Sequence, residues 1–295
     1  MSGETIQIAC VLDATYSDEY ALLLAVLIES LAETHRDPRP VTMHVFHDGV
    51  TAELRDRVCG TPAARRVNVT WHPLGEAAKA RLGALGGERT GSYYIKVLVP
   101  ELLPPDVQRC VYLDVDLLFL GDVAGLWDTN LGDAIAACCT DTYIRTLIHS
   151  KIRPDCDVAG RREFLMSLGL DPELPYFNSG VMVIDVARWR AAAVARRVIE
   201  YSTRHPSRNQ DQDGLNLVLS GAWCPLDPRW NVFPRLAADF DEPAPDPWVL
   251  HFCWYKPTQR DYLTRYVASP SKTAFHRIFH DTLGRTAFAP TAERR

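Results

Sequence analysis

The chain has 295 residues, 23% of them charged, and a formal net charge of −5 at pH 7. That length buries an ordinary core in one large domain or two small ones, and the acidic balance gives no global sign of nucleic-acid binding. The amino terminus, MSGETIQIAC, lacks the charged start and apolar run of a signal peptide, and the longest apolar stretch, YALLLAVLI, is too short to span a bilayer, so a soluble cytoplasmic protein is expected.

In chain order, IQIACVLD is a strand candidate that ends at Asp13. SDEYALLLAVLIESLAETH follows as an amphipathic helix with Ser17 placed to cap it. PVTMHVFHDG is the next strand, stopped at Asp48-Gly49. TAELRDRVCG is a short helix with Thr51 at its N-cap and Gly60 near its end. RVNVTWHPL alternates as a strand does, and a Gly-rich loop, RLGALGGERTGS, precedes the helical YYIKVLVPELL. The run VYLDVDLLFL reads as one buried strand. From about 141 to 176 the pattern breaks into a polar, basic segment. YFNSGVMVIDVARWR is a strand running into a helix, and NQDQDGLNLVLSG is a helix whose first turn is polar. After a Pro-rich acidic loop, ADFDEPAPDPW, the last strand is WVLHFCWYKP.

Strands and helices alternating at this spacing predict an α/β fold, a mostly parallel Rossmann-like sheet flanked by helices. A single domain over residues 1–258 fits, followed by a helical tail, 259–295. That tail carries 7 Lys/Arg and 3 Asp/Glu, hence +4 (7 − 3), which at most suggests peripheral contact with an anionic membrane. The first strand is not followed by G-x-G-x-x-G, and no G-x-x-x-x-G-K-[ST] occurs, which disfavours a dinucleotide site and a P-loop. Of the 8 cysteines, Cys10, Cys110, Cys138 and Cys139 stand in apolar runs and no pair has C-x-x-C spacing. Reduced, buried thiols are expected, and zinc is not.

Asp114 and Asp116 interrupt an otherwise apolar run. Alternation on a strand points both side chains the same way, and two adjacent carboxylates in an apolar setting need compensation. A shared divalent cation supplies it; a solvated D-x-D and an acid pair sharing one proton are the alternatives. Sheets of this kind bind ligands beyond the carboxyl ends of their strands, where Asp13 and this pair stand. An ion held by two carboxylates usually hands its open positions to substrate phosphates. Nucleotide-sugar transfer and phosphate-ester hydrolysis both follow from that.

The ordered set VYLDVDLLFL, LWDTNLGD, YFNSGVMVIDVARWR, NQDQDGLN and HFCWYKP resembles glycosyltransferase family 8 over roughly residues 6 to 258. Members include the bacterial lipopolysaccharide α-galactosyltransferases and glycogenin. The resemblance implies a GT-A fold and a retaining, Mn²⁺-dependent transfer of hexose from a UDP-sugar (UDP-glucose or UDP-galactose) to a saccharide or small-molecule acceptor. By the same resemblance Asp114, Asp116 and His251 are the metal ligands. An imidazole beside two carboxylates favours Mn²⁺ over Mg²⁺. Asp13 resembles the acid on uracil, Tyr16 the ring stacked on it, and Val115 the residue whose main chain faces the ribose. Lys96 stands near the donor and Lys256 resembles the diphosphate lysine. Asp141, Asn178, Gly180, Asp211 and Gln212 resemble the sugar-contacting set, with Gln212, Asp211 and Lys96 implied in catalysis.

The last motif departs from the family's H-x-x-G-x-x-K-P-W: it is one residue shorter and lacks the Gly and the final Trp, so the diphosphate loop runs differently. A metal-dependent phosphoesterase and a non-catalytic nucleotide-sugar binder are the competing readings. The 141–176 segment follows directly on Asp141, and loops on a rigid scaffold commonly set specificity. Its basic residues, Arg145, Lys151 and Arg153 among them, are expected to favour an acceptor with some negative charge.

Overall fold

The computed structural model describes residues 4–13, 18–83, 85, 90–141, 158–205, 209–234, 246–253, 256–259, 262 and 270–290. In chain order the elements are β1 (Ile6–Asp13), α1 (Glu19–Thr34), β2 (Val41–Asp48), α2 (Ala52–Val58), β3 (Val67–Pro73), α3 (Glu76–Gly83), α4 (Thr90–Leu102), β4 (Arg109–Leu113), β5 (Leu117–Phe119) and α5 (Ala124–Trp127). There follow β6 (Ala136–Thr140), α6 (Val158–Ser167), β7 (Phe177–Asp185), α7 (Val186–Ala191), α8 (Val194–Ser202), α9 (Asp211–Val218), β8 (Trp223–Pro225), β9 (Val249–His251) and α10 (Pro270–Leu283). The main sheet has seven strands in the order β3-β2-β1-β4-β7-β6-β8, and β5 and β9 make a second, two-stranded sheet. The pairs β1–β2, β1–β4, β2–β3 and β6–β8 are parallel, and β6–β7 is antiparallel. The mostly parallel, helix-flanked sheet expected from the sequence is present.

The chain divides into two compact units, one of Met1–Leu74, Val111–Asp128 and Pro228–Arg295, the other of Gly75–Cys110 and Thr129–Asp227. In the first unit most residues of β1 and β2 are buried and none is exposed, as parallel strands covered on both faces must be. Their register runs from Ile6↔Val41 to Asp13↔Asp48 and places Asp13 at the carboxyl end. The buried face of α1 includes Leu23, Leu24, Leu27, Ile28 and Leu31. Each such side chain is worth about 1.5–3 kcal/mol on burial. Its Ser30 hydroxyl accepts from the Phe119 amide at 3.0 Å, which fixes β5 against the helix. The tail helix α10 belongs to this unit and packs on α1. In the second unit β7 is buried from Phe177 to Ile184, and Asp185 caps the next helix by accepting from the Arg188 amide at 2.8 Å.

Three local expectations change. VYLDVDLLFL is two strands, β4 and β5, joined by a turn at Asp114–Asp116, and β5 leaves the main sheet to pair with β9. The stretch EAAKARLG forms α3, so part of the expected Gly-rich loop is helical. The N-cap position of α1 is Asp18, with no side-chain cap; Ser17 lies outside the described residues. Thr51 does cap α2, accepting from the Leu54 amide at 3.2 Å. The seven described cysteines are free thiols, four of them buried. Burial pushes the Cys110 thiol up to about 12. Among the described residues no helix is long and apolar enough to cross a membrane.

Candidate active site

In the first unit the turn between β4 and β5 brings two carboxylates and an imidazole together. One ligand atom from each of Asp114, Asp116 and His251 lies within 4.8 Å of the others. The convergence comes from the antiparallel register of β5 and β9, which sets Leu117 opposite His251. The Phe252 amide donates to the Asp116 carbonyl at 3.0 Å and holds the turn closed.

His251 is oriented from behind. Its Nδ1 is 2.8 Å from Asn231 Oδ1, which turns Nε2 toward the two acids and toward Cys253, whose Sγ is 3.0 Å from it. Nε2 is 3.3 Å from Asp116 Oδ1 and 3.9 Å from Asp114 Oδ2. Metal-bound histidines are held by an outer hydrogen bond of this kind. The His251 side chain is 2% exposed and that of Asp114 is 26% exposed, so Asp114 is the open side of the cluster. Tyr112 donates from its hydroxyl to Asp114 Oδ1 at 2.9 Å.

Lys256 is buried and pairs with Asp116 Oδ2, and it donates to the Phe252 carbonyl at 2.9 Å. Burial alone would raise the Asp116 carboxyl, but Lys256 and His251 outweigh it and hold it well below the usual carboxylate range. By the same pairing Lys256 is held above its ordinary value, although burial opposes the charge. Val115 lies buried between the two acids. Asp13 ends β1 in this unit. Tyr16 lies outside the described residues.

The second unit holds a different cluster. α9 starts at Asp211, after Gln210 at a positive φ (55°) that a residue with a side chain rarely adopts. Its first turn and the start of β7 exchange hydrogen bonds. Gln212 Oε1 accepts from Asn178 Nδ2 at 2.9 Å and from the Ser179 amide at 3.1 Å. Gln212 Nε2 donates to Asp141 Oδ2 at 3.0 Å, and Asn178 Nδ2 is 3.2 Å from the same oxygen. Asp211 Oδ2 accepts from Ser179 Oγ at 2.9 Å and faces Lys96 Nζ at 3.5 Å. The Gly180 amide donates to Asn178 Oδ1 at 2.9 Å. Thus Lys96, Asp141, Asn178, Gly180, Asp211 and Gln212, scattered in sequence, meet in one network. Beneath it Tyr176 donates to Asp213 Oδ1 at 2.6 Å. Burial, then Asp213, pushes the Tyr176 hydroxyl well up.

Sequence reasoning missed four supporting residues. Ser179 stands between two named positions, and Tyr112 is two residues before Asp114, so both were within reach of the motifs. Asn216 clamps the backbone of Phe177, accepting from its amide at 2.8 Å and donating to its carbonyl at 2.9 Å. It sits one turn after Gln212. Asn231 carries no sequence signal at all.

The sequence model of glycosyl transferase family 8 matches residues 11–257. General stress protein A of Bacillus subtilis is 25% identical over 283 residues, covering 88% of this chain and 93% of that protein. The lipopolysaccharide 1,2-glucosyltransferase of Escherichia coli is 27% identical over 153 residues, which is 50% of this chain and 40% of that protein. Among solved structures, the galactosyltransferase LgtC in complex with donor and acceptor sugar analogs superposes with a TM-score of 0.73 at 22% identity. It covers 98% of this chain and 99% of its own. At that identity the likeness shows a shared fold, the GT-A fold. The family match over most of the length makes this chain a glycosyltransferase, and it belongs to glycosyltransferase family 8.

Proposed function

We propose that the chain is a retaining hexosyltransferase that uses a UDP-hexose, UDP-glucose or UDP-galactose, with Mn²⁺. The observation that carries this is the meeting of Asp114, Asp116 and His251, with the imidazole Nε2 turned toward the acids. Two carboxylates and one imidazole suit a borderline divalent ion, Mn²⁺ ahead of Mg²⁺, and leave positions for phosphate oxygens. When bound, such an ion neutralises charge on the diphosphate leaving group. Lys256 then holds a fixed positive charge beside the same carboxylate. Asp13 and Tyr16 take the uracil, and the main chain of Val115 faces the ribose.

In this reading Asp141, Asn178, Gly180 and Asp211 hold the hexose, and Lys96 adds positive charge near the donor. Gln212 stabilises the cationic sugar as the bond to UDP breaks. Its amide oxygen is neutral, and both of its lone pairs are engaged by Asn178 and Ser179. That makes a covalent glycosyl–Gln212 intermediate unattractive and favours attack by the acceptor on the face the UDP leaves. Residues 1–258 form the catalytic region and 259–295 the basic tail, for which contact with an anionic surface is the membrane role we consider. We place the protein in the cytoplasm.

UDP release from UDP-glucose and UDP-galactose, with Mn²⁺, with Mg²⁺ and with excess chelator, tests the reading. Release from one of the two donors is expected with Mn²⁺ and is lost with chelator. Metal-dependent phosphate release from simple phosphoesters, without sugar transfer, would select the phosphoesterase instead. That enzyme asks for a second cluster of three or more His, Cys, Asp or Glu ligands, and the described residues contain one such cluster.

A further inference from the structure

His276 and His280 lie four residues apart on α10, so one ring stands above the other on a single face. Their Nε2 atoms are 3.0 Å apart. His280 Nε2 is 3.1 Å from the Pro257 carbonyl oxygen, which also engages His276. Two nitrogens each about 2.0–2.1 Å from one ion stand about 2.9–3.4 Å apart in cis or tetrahedral positions. The observed spacing is that of a hydrogen-bonded imidazole pair, and an ion can take the place of the shared proton without moving the rings apart. Two histidines at i and i+4 on one helical face are a recurrent transition-metal grip.

The surroundings agree with that use. Both rings are half-buried, so an ion can reach them. The Tyr262 ring stacks on His276 with centroids 5.5 Å apart, which fixes the imidazole plane. Burial, then His280 and, less strongly, Lys272 lower the proton affinity of His276, while the Pro257 carbonyl raises it. Lys272 Nζ lies 5.2 Å from the Tyr262 ring centre.

We propose that His276 and His280 bind a second metal ion, a borderline transition ion such as Zn²⁺, Ni²⁺ or Cu²⁺, with the Pro257 carbonyl as the adjacent oxygen donor. Two imidazoles suit these ions, whereas Mn²⁺ and Mg²⁺ prefer oxygen-rich sites, so the two centres of the chain differ in chemistry. Pro257 follows Lys256, the residue paired with Asp116. An ion at the histidine pair therefore joins α10 to the turn that carries Lys256.

The test is equilibrium dialysis of tag-free, full-length protein against Ni²⁺, with metal analysis. It compares wild type, H276Q/H280Q and D114N/D116N. Glutamine keeps an amide N–H for the Pro257 carbonyl while removing the imidazole, and melting without ion checks folding; the single variants stand in if the double one does not fold. Wild type and D114N/D116N are expected to hold one equivalent of Ni²⁺ that H276Q/H280Q loses. Cu²⁺ spectra should show coupling to two nitrogens that disappears in the same variant. An equal Ni²⁺ count in wild type and H276Q/H280Q overturns the proposal. So does a wild type that holds no ion beyond the one lost in D114N/D116N.

Discussion

In the first unit, Asp114 and Asp116 turn carboxylate oxygens toward an imidazole nitrogen, with Lys256 and Tyr112 among the donors that meet them. In the second unit, Asp141, Asp211 and Asp213 are each met at hydrogen-bond distance by amide or hydroxyl donors. The first cluster gathers acceptors and is built to receive positive charge. The second is a satisfied frame that holds Gln212 in one orientation. A buried polar group left without a partner costs about 1–3 kcal/mol. Substitutions in the first unit should therefore act through the ion, and those in the second through geometry.

The largest effects are expected at the acids. Asp114→Ala should lower transfer by about three orders of magnitude or more, because the ion supplies several kcal/mol of charge stabilisation. Its partly exposed position predicts little loss of stability. Asp116→Ala should abolish transfer as well, but it also leaves Lys256 buried and unpaired. Breaking such a pair costs about 3–5 kcal/mol. Thermal melting of the two variants separates these outcomes, and equal melting temperatures would contradict the pairing.

Next comes the second unit. Gln212→Ala should lower turnover by about 10²-fold, of the order seen when one fixed polar group is removed from a transition state. UDP affinity should change only a few-fold, since the loss belongs to the chemical step. A parallel loss of UDP binding would place Gln212 near the nucleotide.

How much of this could be read from the sequence differs between the two clusters for physical reasons. The parallel strands β1 and β2 were legible because burial on both faces demands apolar runs, β3 because its residues alternate, and Thr51 announced α2 through its capping chemistry. The acid pair stood out because carboxylates in an apolar run need a counter-charge. The turn that creates the cluster did not, since VYL and LLFL flank it with residues equally suited to one strand. Only the pairing of β5 with β9, more than a hundred residues away, shows that the strand ends. α3 escaped notice because EAAKARLG carries too few large apolar residues to mark a buried stripe. The second cluster was reached through resemblance, residue by residue. Its hydrogen bonds depend on β7 and α9 meeting, which no local pattern encodes.

Asn231 sharpens the contrast from outside either motif. Removing the partner of His251 Nδ1 frees the ring to turn or to change tautomer. Asn231→Ala should weaken metal affinity by about 10–100-fold, as outer-shell substitutions commonly do. Turnover at saturating Mn²⁺ should recover most of the loss. An effect that Mn²⁺ does not relieve would make Asn231 a packing residue only.

The smallest effect is expected from the basic segment that begins after Asp141. Arg145, Lys151 and Arg153 lie outside the described residues, and the proposal rests on their position in the chain. Replacing all three by Gln should raise acceptor KM a few-fold while donor hydrolysis without acceptor is unchanged. A parallel fall in both activities would assign the segment to structural support.

The division of labour between the two clusters is tested most directly by calorimetric titration of UDP into wild type, Asp114→Ala and Gln212→Ala, each with Mn²⁺ and with chelator. Mn²⁺ should strengthen UDP binding in wild type and in Gln212→Ala to a similar degree, and should have no effect in Asp114→Ala. UDP binding that responds to Mn²⁺ equally in all three proteins would contradict the assignment of the ion to Asp114, Asp116 and His251.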